Sequence, residues 1–157
     1  IVLRAGNRRL FLSSKSSSDT PLLREQLCFA LYATSRAFTK VYSDLLKDMG
    51  VTYPQYLVML VLWEHGNQSI QEIANALEIE SATATPLVKR MEALGLVVRE
   101  RSTKDERVVN ITLTEKGESL RHNASKLPEA LGCEVGVGPE QAQRLLKELN
   151  AIRTEIG

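Results

Sequence analysis

From Pro21 to Met49 the apolar residues Leu27, Leu31, Phe38, Val41, Leu45 and Met49 recur at helical spacing. This stripe predicts one long helix with Pro21 in its first turn and Gly50 as its stop. Thr52 and Pro54 then open a second helix, Gln55 to Trp63, which is apolar almost all round and ends at Gly66. A helix without a polar face belongs at the centre of a core. Ser69 with Glu72 spells a capping box ahead of a short helix, Ile70–Leu77. Three residues later Ser81 offers a second cap, and the helix behind it turns Leu87, Val88, Met91 and Leu94 inward before stopping at Gly95. Two short helices on a tight connection make a helix-turn-helix.

The period then shortens to two. Leu96–Arg101 and Val108–Leu113 read as strands around a polar tip, Ser102–Arg107. A hairpin appended to a helix-turn-helix is a wing. Thr114–Gly117 opens a further helix towards Leu131, a Gly-rich break spans Gly132–Gly138, and an amphipathic helix runs from Pro139 to Ile156. The fold class is therefore mainly α with a small β-hairpin, a winged helix-turn-helix flanked by N- and C-terminal helices. Residues 21–157 form a single domain, with the winged helix at 52–117. Residues 1–20, Ser-rich and basic through Arg4, Arg8, Arg9 and Lys15, carry no trusted period. They are read as a disordered arm or a cloning remnant, with a transit peptide as the lesser alternative, and set aside from the fold.

Composition adds limits. The 157 residues are 43% hydrophobic and 25% charged, with a net charge of +1, the balance of a globular protein. No apolar run approaches the ~20 residues of a membrane span. Cys28 and Cys133 are far apart, and His65 and His122 stand away from both, which excludes a disulfide framework and a metal site. The cysteine usage points to an intracellular, cytoplasmic protein with its thiols kept mainly reduced, and no cofactor is expected.

Recognition helices place short polar side chains against base edges. Ser81, Ala82, Thr83, Ala84, Thr85 and Pro86 offer hydroxyls for phosphates or bases and methyls for thymine, and Lys89 and Arg90 can meet phosphate. Pro86 inside the helix predicts a local bend or loosening. Between Ser81 and Arg107 the basic residues Lys89, Arg90, Arg99, Arg101, Lys104 and Arg107 outnumber Glu92, Glu100, Asp105 and Glu106. The cationic tip suits a minor groove.

Asp105-Glu106-Arg107, followed by Leu113-Thr114-Glu115-Lys116-Gly117, resembles the wing signature of the MarR family of dimeric repressors. Upstream, Gln26–Tyr32, Thr39–Tyr42, Thr52–Leu57 and Thr85-Pro86-Leu87 resemble its organic-hydroperoxide-sensing branch, the OhrR-type repressors. Together the matching segments cover roughly residues 22–133. Ala82 and Ala84 depart from the Gly and Leu common in relatives.

The resemblance implies a homodimer, with 21–49 and 118–157 as dimerisation helices, that represses from an AT-rich inverted repeat of double-stranded DNA. Arg107 would enter the minor groove with Asp105 orienting it, beside Lys104. Organic hydroperoxide would oxidise Cys28, whose thiolate Tyr42 and Tyr53 hold, while Tyr32 lines the same pocket or the core. Cys133 would be the resolving thiol of an intersubunit disulfide. Fourteen helical positions separate Cys28 from Tyr42, about 21 Å, so a Tyr42 serving Cys28 must come from the partner. Trp63 and Tyr56 are assigned to the core. Competing readings are a repressor released by a non-covalently bound phenolic or lipophilic ligand, and a winged helix that binds protein instead of DNA. A thiol peroxidase is disfavoured, because no base neighbours either thiol.

Overall fold

The computed structural model describes residues 21–101 and 109–156. The chain divides into two compact units between Ser35 and Arg36, inside the first helix.

Helix α1 spans Leu27–Leu45, and none of its residues is buried. It starts later than Pro21 because Gln26, with φ −89° and ψ 119°, is extended and separates it from a 3-10 turn at Leu23–Glu25. At the other end Lys47–Met49 tightens into a 3-10 turn closed by Gly50, whose φ of 66° a glycine adopts without strain.

Helix α2, Tyr53–His65, starts on Thr52, whose amide donates to Gln55 Oε1 at 2.8 Å. That bond explains how the Gln55 side chain is tolerated inside the core. Tyr56, Val58, Met59, Val61, Leu62 and Trp63 are buried as expected of an all-round apolar helix. They pack with Ile73, Leu87, Val88, Met91, Leu96, Val97, Ile111, Ala124 and Leu127 in one cluster. Each large member contributes about 1.5–3 kcal/mol of burial.

Strand β1, Gln68–Ser69, was not foreseen; α3, Ile70–Ala76, follows it and α4 covers Ser81–Ala93. Strands β2, Val97–Arg101, and β3, Val109–Leu113, pair antiparallel with Val97 opposite Leu113 and Arg99 opposite Ile111. The sheet order is β1-β3-β2, with Gln68 opposite Ile111.

The expected single helix from Thr114 is three segments, α5 Glu115–Ser119, α6 Arg121–Ala124 and α7 Leu127–Val135. Pro128, in the first turn of α7, has no N–H with which to continue an earlier helix. Gly132 and Cys133 belong to α7, so the break is confined to residues 136–138, where Gly136 caps the helix at φ 66°. Helix α8 runs Pro139–Ile156, and none of its residues is buried. No helix among the described residues is long and apolar enough to cross a membrane.

Candidate nucleic-acid interface and thiol sites

The helix-turn-helix is held by local chemistry. Glu72 N–H donates to Ser69 Oγ at 3.2 Å, and Ser69 N–H donates to Glu72 Oε2 at 2.7 Å, closing the expected capping box. These bonds, the backbone amide first, hold the Glu72 carboxyl below its ordinary range. Glu78, in the turn, takes φ 54° and accepts Arg153 Nη1 at 2.9 Å.

Ser81 does not cap α4. Glu80 is the N-cap residue, Ser81 is the first helical residue, and its hydroxyl donates to Gln71 Oε1 at 2.7 Å. Glu80 has the extended backbone of an N-cap residue, with ψ 145°, so the first helical residue is Ser81. The helix runs unbroken through Pro86. Ala82, Thr83, Pro86, Lys89 and Arg90 are exposed, and Ser81 and Thr85 are half-buried. Ala84 turns away from that face and is fully buried with Leu87, Val88 and Met91. Leu94 does not face inward: it is the C-cap residue and 43% exposed, and Leu96 fills the core in its place.

The wing is tied to the far end of α4. Arg99 Nη1 lies 3.3 Å from Glu92 Oε2. Thr114 Oγ1 donates to the Gly95 carbonyl at 2.7 Å and accepts from Gly117 N–H at 3.1 Å, while Lys116 Nζ donates to the Leu94 carbonyl at 2.8 Å. A cation on the last carbonyls of a helix also complements its dipole. A Cβ on Gly117 would strike the Leu96 carbonyl oxygen and come within 2.9 Å of Leu113 Cδ2. The segment read as a helix start and a signature is therefore also a clamp between α4 and the sheet, a role that spacing alone did not reveal. Lys104, Asp105 and Arg107 lie outside the described residues.

Cys28, in the first unit, and Cys133, in the second, are free and exposed thiols. Tyr32 is exposed as well. Tyr42 and Tyr53 come together, with ring centroids 4.5 Å apart. Tyr56, assigned only to the core, joins them at 5.8 Å from Tyr42 and lies 6.4 Å from Trp63. Burial, with Tyr53 and Tyr56 adding to it, pushes the Tyr42 phenol up to about 12. Tyr53 and Tyr56 are raised too, chiefly by burial. Cys133 lines a cavity of about 840 Å³ whose wall includes Phe38, Leu131, Val135, Val137 and Ala142. Among the described residues no group of three His, Cys, Asp or Glu side chains could hold a metal ion.

A helix-turn-helix with a hairpin clamped to its second helix defines a winged-helix transcriptional regulator. The profile of the transcriptional regulator SarA/Rot family matches residues 40–124. The organic hydroperoxide resistance transcriptional regulator of Bacillus subtilis is 43% identical over 136 residues, 87% of this chain and 90% of that protein. The HTH-type transcriptional regulator TtmR of Methylorubrum extorquens is 43% identical over 149 residues, 95% of this chain and 76% of that protein. Reduced, DNA-bound AbfR, a protein of Staphylococcus epidermidis, superposes with a TM-score of 0.71 at 35% identity, covering 85% of this chain and 94% of that one. Its disulfide form gives 0.57 at 38% identity, covering 83% and 91%. The chain belongs to the SarA/Rot and MarR family of winged-helix transcriptional regulators, and it is a regulator rather than an enzyme.

Proposed function

We propose that the protein is a homodimeric repressor that binds an inverted repeat of double-stranded DNA and releases it when organic hydroperoxide oxidises Cys28. The observation that carries this reading is a free, exposed thiol on the helix that also holds Tyr42, itself stacked on Tyr53. The name of the B. subtilis relative and the reduced and disulfide forms of AbfR support the same chemistry.

In the proposed reading the exposed face of α4 enters the major groove through Ser81, Ala82, Thr83 and Thr85. Lys89, Arg90 and Lys104 meet phosphate, and Arg107, oriented by Asp105, enters the minor groove. A second copy covers the exposed apolar residues Leu27, Phe29 and Leu31 of α1 and Leu145, Leu149 and Ile152 of α8. The Cys28 thiolate attacks the terminal peroxide oxygen, the O–O bond breaks, and the alkoxide leaves as an alcohol after taking a proton. The resulting sulfenic acid condenses with the Cys133 thiol of the other subunit, forming the disulfide and releasing water. In this reading Tyr42 and Tyr53 serve the thiol of the partner, as the fourteen-position spacing of Cys28 and Tyr42 in sequence calls for. Tyr32 lines that pocket.

Non-reducing electrophoresis before and after stoichiometric cumene hydroperoxide tests the thiol chemistry. A covalent dimer that disappears in both Cys28→Ser and Cys133→Ser is expected. Wild type that stays monomeric on the gel would remove Cys133 from the mechanism. The apolar cavity beside Cys133 favours one second reading, release by a phenolic or lipophilic ligand. In that case Cys28→Ser keeps the ligand response.

A further inference from the structure

The hydroxyls along the proposed reading face are not equivalent, because some have already committed their proton. Gln71 donates Nε2 to Asn75 Oδ1 at 2.8 Å, one turn further along α3, which leaves its amide oxygen towards Ser81. An amide oxygen only accepts, so Ser81 gives its single hydroxyl proton to Gln71 Oε1 at 2.7 Å. Thr85 likewise gives its proton to the Ser81 carbonyl at 2.8 Å. The exposed Thr83 donates its backbone N–H to the Glu80 carbonyl at 2.8 Å, while its hydroxyl has no partner among the described residues and keeps its proton free.

We propose that Ser81, held by Gln71, acts as an acceptor-only probe that selects an exocyclic amine, adenine N6 or cytosine N4, at one position of each DNA half-site. This rests on the reading of α4 as the helix that enters the major groove. Phosphate oxygens only accept, so they offer Ser81 Oγ nothing once its proton is committed. Guanine N7 and O6 and thymine O4 are acceptors as well and are refused for the same reason. The donors that a major groove presents are the amines of adenine and cytosine. Thr83, with a free proton, is the hydroxyl on this face suited to phosphate. Gln71 is a positioning residue: it touches no base and acts by fixing the direction of the Ser81 hydroxyl.

The test is selection from a pool of randomised DNA duplexes by the reduced protein, followed by affinity measurements on the selected duplex. Wild type is expected to enrich A or C at a half-site position where Ser81→Ala enriches nothing, with the other positions unchanged. Replacing that base by its analogue without the amine, purine for adenine or 2-pyrimidinone for cytosine, identifies the source. It should weaken wild type by roughly fivefold to a hundredfold and leave Ser81→Ala unaffected. Gln71→Leu should relax the preference at that position, whereas Gln71→Glu, still an acceptor, should keep it.

A loss in Ser81→Ala that is equal for all sequences would overturn the proposal. It would mean that Ser81 retains its proton for phosphate and that both amides lie the other way round. Enrichment of G or T at the Ser81-dependent position would also overturn it. If wild type retains no duplex from the pool, the DNA reading itself fails, and that result is distinct from both.

Discussion

Tyr42 and Tyr53 stack with their ring centroids 4.5 Å apart, although eleven positions separate them in sequence and a glycine turn lies between. Their contact makes one hydrophobic shelf from two helices and leaves both phenols neutral over a wide range. The folded state holds the Tyr42 proton up to about 12, against an ordinary value of 10.0. The contribution of Tyr42 to stability is thus complete below pH 10 and lost as pH rises from 10 to about 12, since the unfolded chain gives up that proton first. Urea denaturation across this window should show a falling midpoint that flattens in Tyr42→Phe. An identical pH profile in the variant would contradict the stacking account.

Gly117 sits where no side chain fits. Gly117→Ala should destabilise the fold by about 1–3 kcal/mol, because the obstacle is the Leu96 backbone rather than a movable side chain. Thermal unfolding checks this, and an unchanged midpoint would refute the close approach. The same variant should weaken DNA binding more than its stability loss requires, since the clamp between α4 and the sheet would shift.

Leu94 and Leu96 make a matched pair for testing the end of α4. Leu96→Ala is expected to cost about 2–5 kcal/mol, the usual range for a buried leucine. Leu94→Ala should stay within about 0.5 kcal/mol, as for other exposed positions. Equal losses would restore the inward Leu94 that periodicity predicts.

The sequence made most of this fold legible, because its signals were local. The capping box at Ser69 and Glu72, the all-apolar α2 and the stop at Gly66 depend on neighbours a turn apart, and they stand as read, whereas the first helix ends at Leu45 and Gly50 closes a separate 3-10 turn. The errors arose where tertiary partners decide. Helical period placed Leu94 inside, but α4 ends there and the chain turns so that Leu96 enters the core. Ser81 looked like a cap because its side chain suits one, yet Gln71 of the preceding helix claims its hydroxyl. The clamp from Thr114 and Lys116 to the carbonyls of Gly95 and Leu94, just past the end of α4, joins residues about twenty positions apart, which no period records. The proposed thiol site rests on resemblance alone, since Cys28 and Tyr42 are fourteen positions apart in sequence and nothing in that spacing marks them as a pair.

The capping box gives an acid-side prediction. Hydrogen bonds from Ser69 hold the Glu72 carboxyl below 4.5, so its stabilising effect is present above that value and lost as pH falls below it. Ser69→Ala should cost about 1 kcal/mol at pH 7. The difference between wild type and Glu72→Gln in chemical denaturation should shrink below pH 4.5; a constant difference would count against the box.

The central claim is that oxidation of Cys28 ends DNA binding. Its most direct test is fluorescence anisotropy of the reduced protein on a duplex selected from the randomised pool, before and after stoichiometric cumene hydroperoxide. Wild type should bind when reduced, release on oxidation and rebind after dithiothreitol, while Cys28→Ser should bind equally well before and after peroxide. Release by peroxide in Cys28→Ser, or retention by oxidised wild type, would contradict the account.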